Sequence, residues 1–185
     1  MSQGGKDGWI LESSEASGQD GKFNNTATVL YVGDSAQDQQ YRSFLSFNTS
    51  SLPAKAFITK VELKIRVQGF VGDSMFIPVK THNNLVMDIR DPSFGTSADL
   101  VITDFQAGSS TNAVGVLTSV PATGWYTVTL KITAFPFVNV DGTTQFRLRF
   151  QLDDNDDLGA DYLKIYSGDA GSASRPRLIV EYHVP

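Results

Sequence analysis

Apolar and polar residues alternate along almost the whole chain, and this period of two constrains the fold more than any other feature. Val61, Leu63, Ile65 and Val67 are interleaved with Glu62, Lys64, Arg66 and Gln68. Phe146, Leu148, Phe150 and Leu152 are interleaved with Arg147, Arg149 and Gln151, and Tyr126, Val128 and Leu130 with Thr127 and Thr129. Leu178, Val180 and Tyr182 repeat the pattern near the end. Side chains of an extended strand point alternately to opposite faces, so each run reads as a half-buried strand. Shorter candidates are 9–12, 28–32, 43–47, 85–89, 100–103, 114–117 and 163–166. Between them lie turn clusters such as Ser17-Gly18-Gln19-Asp20-Gly21 and Val140-Asp141-Gly142-Thr143. Lys131–Asn139 has room for one short helical turn, which Pro136 limits. About ten short strands predict an all-β fold: a single antiparallel β-sandwich or jelly roll over 1–185, with 1–8 as a flexible N-terminal arm.

The chain has 185 residues, no cysteine and a formal charge of −5. Absent cysteine removes disulfide scaffolds, thiolate metal sites and cysteine nucleophiles. The acidic balance argues against nucleic acid as a partner, because phosphate binding needs a concentrated basic face. No apolar run is long enough to insert into a membrane as a helix. The first residues carry no apolar segment of the secretion-signal kind.

Two patterns could carry chemistry. In Asp153-Asp154-Asn155-Asp156-Asp157-Leu158-Gly159-Ala160-Asp161, five of nine residues are carboxylates. Such crowding is relieved by hydration or by a hard cation such as Ca²⁺, which takes oxygen ligands. Asp153, Asp154, Asn155, Asp156, Asp157 and Asp161 are the candidate metal ligands, and a hydrated acidic hairpin tip is the alternative. Asp7, Glu12, Asp34, Asp38 and Asp169 are available to complete such a site. The second pattern is basic. With the apolar members of two strands inward, Lys64, Arg66, Arg147 and Arg149 fall on outer faces and would form a basic stripe if those strands were neighbours. Ordinary solvated strand faces are the plain alternative.

Sugar recognition uses aromatic faces against pyranose C–H surfaces. Trp125 takes an outward register, and Trp9, Tyr31, Tyr41, Tyr162 and Tyr166 are further candidates, although most aromatics in a sandwich are packing. The candidate ligand-binding set is Trp125, Lys64, Arg66, Arg147, Arg149 and Tyr162. Catalytic signals are sparse. His82 and His183 are the two histidines, and no G-x-S-x-G elbow is present. Gly33-Asp34-Ser35 and Gly72-Asp73-Ser74 read as turns rather than as esterase motifs.

Several segments in order resemble DNRLRE domains: Tyr31-Val32-Gly33-Asp34, Arg42–Asn48 with Ser51-Leu52-Pro53, Ile58–Leu63, Gly124–Leu130, and Tyr166–Asp169 followed by Arg175–Tyr182. The resemblance spans nearly the whole chain. It implies a β-sandwich module of large secreted or surface-bound bacterial and archaeal proteins, often beside enzymes acting on polysaccharides. Some such modules are grouped with carbohydrate-binding modules, including binders of acidic polysaccharide. The expectation is therefore a non-catalytic extracellular or cell-surface module that binds polysaccharide and holds structural calcium. A self-associating surface-layer, stalk or filament subunit is the second reading, and a lyase or esterase the third.

Overall fold

Strand formation follows the alternation closely. A computed structural model of the chain describes residues 1–72, 82–117 and 124–185. Its strands are β1 (Gly8–Glu12), β2 (Asp20–Asn24), β3 (Val29–Asp34), β4 (Gln40–Asn48), β5 (Phe57–Val71), β6 (Leu85–Arg90), β7 (Thr111–Leu117), β8 (Trp125–Thr129), β9 (Thr143–Phe150), β10 (Tyr162–Tyr166) and β11 (Arg177–His183). All pairings are antiparallel, in the order β11-β5-β10-β3-β4-β9-β6-β7, with β1 on β4, β2 on β1 and β8 on β5. The sheet is nearly closed, and the all-β sandwich expected from the alternation is the fold observed.

The path turns from one layer to the other where β3 meets β4, at just two residue pairs, Gly33↔Tyr41 and Asp34↔Gln40. Gly33 is required there: its φ is +137°, and a Cβ would lie 2.0 Å from the Asp161 carbonyl oxygen. Ser43 Oγ donates to Tyr31 O at 2.6 Å across the same seam. Trp9, Tyr31, Tyr41 and Tyr162 close it as a cluster, with ring centroids 5.1–5.5 Å apart. The main core lies between the layers. Leu30, Val32, Leu63, Ile65, Leu163 and Ile165 from β3, β5 and β10 pack in one cluster with Leu45, Phe146, Leu148, Leu85 and Met87 from β4, β9 and β6.

A second, smaller core covers the other side of β1 and β4, where Ile10 and Phe44 meet Phe94, Leu100 and Phe105. The segment expected as a strand at 100–103 belongs to this cover; it runs into a 3-10 turn at Ile102–Phe105. Buried side chains from the sheet fasten the cover by its backbone. Gln145 accepts from Phe94 N at 2.8 Å, and Arg147 Nη1 donates to Ala107 O at 2.7 Å. A buried backbone group needs such a partner, which explains why polar residues sit on this side of β9.

Three expectations change. Residues 1–8 are not a flexible arm: Ser2 is buried, Ser2 N donates to Pro176 O at 2.9 Å, and Gln3 N donates to Ser46 O at 2.8 Å. Asp20 and Gly21, read as part of a turn, instead open a strand, Asp20–Asn24, held by β1. Leu152 is outside β9 and 45% exposed, so the apolar register ends at Phe150. The short helical turn appears as a 3-10 segment at Ile132–Phe137.

One buried charge supports the cover. The Asp88 carboxylate has no solvent exposure and accepts from Arg147 Nη2 and Arg149 Nε, both at 2.9 Å. Removing one partner of a buried pair leaves uncompensated charge. Asp88→Ala is therefore expected to cost about 3–5 kcal/mol in chemical denaturation. The exposed Asp153→Ala should stay within about 0.5 kcal/mol. A loss below about 1 kcal/mol for the first would contradict the assigned role.

Candidate functional site

The outer face of the layer built from β8, β5, β11, β10 and β3 carries the candidate site. Directly opposed residues of antiparallel strands point to the same side. Lys64 lies between Arg177 on β11 and Thr127 on β8, and Arg66 lies opposite Trp125. Their inward neighbours Leu63, Ile65 and Tyr126 are buried, so these side chains face out. A register shift between β5 and β10 sets Lys164 opposite Gly69 and Ile165 opposite Val67. Because Ile165 is buried, Lys164 and Tyr166 share the outer face. Tyr31 opposes Lys164 and Tyr162 opposes Gly33, which carries the aromatic seam onto the same surface.

The cations on this face are arranged beside rings. The Arg177 guanidinium lies 5.5 Å from the Trp125 ring centroid, and that of Arg66 lies 5.9 Å from Tyr166. Arg66 Nη1 also donates to Ser174 Oγ at 2.9 Å. The nearby carboxylates Glu62 and Glu181 are both taken by Lys60, at 3.0 and 3.4 Å. Among the described residues, Lys64, Arg66, Lys164 and Arg177 have no carboxylate within ion-pair distance. They are cations held on a rigid sheet and open to an anion from outside.

Arg147 and Arg149 are not part of this face. The expected stripe required β5 and β9 to be neighbours, but β9 pairs with β4 and β6 in the other layer. Arg147 is 6% exposed, its guanidinium lies 4.8 Å from the Phe94 ring centroid, and Asp88 is ion-paired with both arginines. Burial pushes the Asp88 carboxyl up. The hydrogen bond and charge of Arg149, the Ala113 N–H and the charge of Arg147 outweigh burial and leave it below the usual carboxylate range. Lys164 and Arg177 take the place expected for them. Their outward registers are readable in 162–166 and 177–181, but only pairing joins them to Lys64 and Arg66.

The acidic loop lies at one end of the sheet. Asp153, Asp156 and Asp157 are exposed, Asp154 and Asn155 are half-buried, and Asp161 is buried. Of the five carboxylates available to complete a site, Asp34 and Asp38 come to the loop: Asp161 N donates to Asp34 Oδ1 at 3.2 Å, and Leu158 N to Asp38 Oδ1 at 3.1 Å. Asn155 Nδ2 reaches Asp157 Oδ2 at 2.9 Å and Asp161 Oδ2 at 3.2 Å. Burial, then the charges of Asp153 and Asp156, push the Asp154 carboxyl up to about 6. Asp161 is raised by burial and then by Asp34 and Asp157. Among the described residues, no three Asp, Glu or His side chains are arranged as metal ligands. Glu12 caps the backbone at Gly18 and Gln40, and Asp7 receives Ser46 N and Gly168 N far from the loop.

The two histidines lie apart, His82 in the interior and His183 exposed at the end of β11. His82 is fully buried with Nε2 3.0 Å from Asp34 Oδ1, and His183 lies against the Phe57 ring. Ser35 Oγ donates to Gln39 Oε1 at 3.3 Å within a turn. Asp73 and Ser74 of the second turn motif lie outside the described residues.

A scan against protein-family models finds no match, and no curated protein matches the sequence. The site is therefore read from its own chemistry.

Four carboxyls titrate high in the folded protein, chiefly because of burial: Asp7 at about 7, Asp104 and Asp154 at about 6, and Asp161, which is also raised. Between pH 4 and 7 the folded state keeps protons that the unfolded chain has released. This contribution to stability is complete below about pH 4 and is lost as pH rises through 6 to 7. The melting midpoint should be higher at pH 5 than at pH 8, and Asp7→Asn should flatten that slope. A midpoint that rises with pH over this range would contradict the assignment.

Proposed function

We propose that the protein is a non-catalytic module that binds acidic polysaccharide on the outer face of β8, β5, β11, β10 and β3. The observation that carries this reading is the group of four cations, Lys64, Arg66, Lys164 and Arg177, with no carboxylate partner among the described residues. Lys60 takes both local carboxylates, Glu62 and Glu181, so neither is left to pair with these four. Trp125 and Tyr166 beside them offer apolar ring surface for sugar C–H faces. The sheet fixes the spacing of their backbone positions, and ordering the long side chains is part of the cost of binding. The resemblance to DNRLRE domains agrees with an extracellular or cell-surface setting and is part of the proposal.

The test is affinity electrophoresis and calorimetry with a polyuronate and, in parallel, a neutral glucan. The polyuronate should be retained, with affinity falling as NaCl rises, because exposed charges are screened within about 10 Å at 0.1 M salt. Lys64→Glu with Arg66→Glu should weaken binding by at least about tenfold. Lys131→Glu, exposed beyond the end of β8, should leave it unchanged. Equal retention of both polysaccharides, or indifference to the double substitution, would contradict the reading.

Calcium at the 153–161 loop is a second element, supported by donor chemistry rather than by assembled geometry. The loop supplies hard oxygen donors, and Asp34 Oδ2 and Asn155 Oδ1 are buried without a hydrogen-bond partner. A cation there would neutralise the crowded carboxylates and raise the melting midpoint in calcium relative to EGTA at matched ionic strength. An unchanged midpoint would remove calcium from the account.

A further inference from the structure

Strand β11 forms one edge of the sheet: it pairs with β5 from Arg177 to His183 and with no other strand among the described residues. An edge strand offers unpaired N–H and C=O groups to another chain, and proteins usually blunt such edges with proline, charge or very short length. This edge is seven residues long and contains no proline. Ile179 is 40% exposed at its centre. Its inward side chains Leu178 and Val180 are only half-buried, beside a cavity of about 170 Å³ that Met1, Phe47 and Leu52 also line.

We propose that β11 pairs with β11 of a second copy, antiparallel, about a two-fold axis through Ile179. The sequence is self-complementary in this register. Arg177 falls opposite Glu181 of the second copy, Leu178 opposite Val180, and Ile179 opposite itself. Opposite charges thus flank an apolar centre on both sides, and cross-strand pairs of this kind favour one register over its neighbours. The backbone agrees with it. Thr59 Oγ1 donates to Glu181 O at 3.1 Å, so that carbonyl faces β5. Alternation then turns the N–H and C=O groups of Leu178 and Val180 outward, where the register makes them hydrogen-bonded partners. Ser2 N occupies Pro176 O and ends the pairing at Arg177. A two-fold contact uses the same patch on both copies and closes on itself, giving a dimer and no filament. It also sets the two outer faces side by side in one continuous sheet. The proposal does not depend on polysaccharide binding; in the dimer Arg177 gains Glu181 of the second copy, and Lys64, Arg66 and Lys164 stay as the cations without a carboxylate partner among the described residues.

Sedimentation equilibrium across a concentration series tests it, with circular dichroism confirming that each variant is folded. The unmodified protein should show a concentration-dependent dimer. Arg177→Glu sets two pairs of carboxylates against each other and should weaken the dimer by about tenfold. Adding Glu181→Arg should restore it, and Ile179→Lys should leave monomer. All three positions are exposed, so folding should survive. A protein that stays monomeric to about 1 mM would overturn the proposal. So would a dimer that resists Ile179→Lys or that the charge exchange fails to restore.

Discussion

Strand β5 holds register against three partners, and the rest of the structure depends on its strict alternation. Val61, Leu63 and Ile65 enter the core, while Glu62, Lys64 and Arg66 face solvent. β11 and β8 flank its first part, and β10 joins its second part through a register shift. A slip of one residue would expose the core set and bury three charges at once, so the pairing is strongly specified. The same alternation that fixes the fold therefore fixes which cations are presented, and at what spacing. Lys164 and Arg177 join Lys64 and Arg66 only because β10 and β11 are locked to β5.

The two layers treat basic residues in opposite ways, and burial is the reason. On β9, Arg147 lies under the 91–110 cover, where an unpaired charge is costly, so Asp88 pairs with it and with the neighbouring Arg149, and the Phe105 and Ala107 carbonyls take Arg147 Nη1. On β5 and its neighbours Lys64, Arg66 and Lys164 are half-buried and Arg177 is exposed, and among the described residues none of them has a carboxylate partner. Arginines in similar sequence patterns thus serve packing in one layer and stay without a carboxylate partner in the other.

Much of the architecture was legible in the sequence because period two is a local signal. The alternating runs 61–67, 146–150 and 178–182, which lie inside the strands Phe57–Val71, Thr143–Phe150 and Arg177–His183, and the outward register of Trp125 follow from it directly. Strand β2 was not, because Asp20–Asn24 is polar and pairs only along one side, with β1. The 100–103 run looked like a strand because it is apolar, but Leu100 is buried, and Ile102 partly so, as a cover over Phe44 rather than in a ladder, and Val101 is exposed. The site was half legible. Lys64, Arg66, Trp125 and Tyr162 share the predicted outer face, whereas Arg147 and Arg149 do not. Asp88 carried the missing signal: a carboxylate inside the apolar run Val86-Met87-Asp88-Ile89 must be paired when buried. Which residues it pairs with is set by β6–β9 register, which no local pattern encodes.

The central claim is that a rigid sheet face, built on β5, presents unpaired cations to an acidic glycan. Residue-resolved NMR during titration with a polyuronate tests it most directly. The account predicts shift changes confined to Lys64, Arg66, Trp125, Lys164, Tyr166 and Arg177, reversed by added salt. Changes centred instead on Arg147 and Arg149 or on the 153–161 loop, or no localised changes, would contradict it.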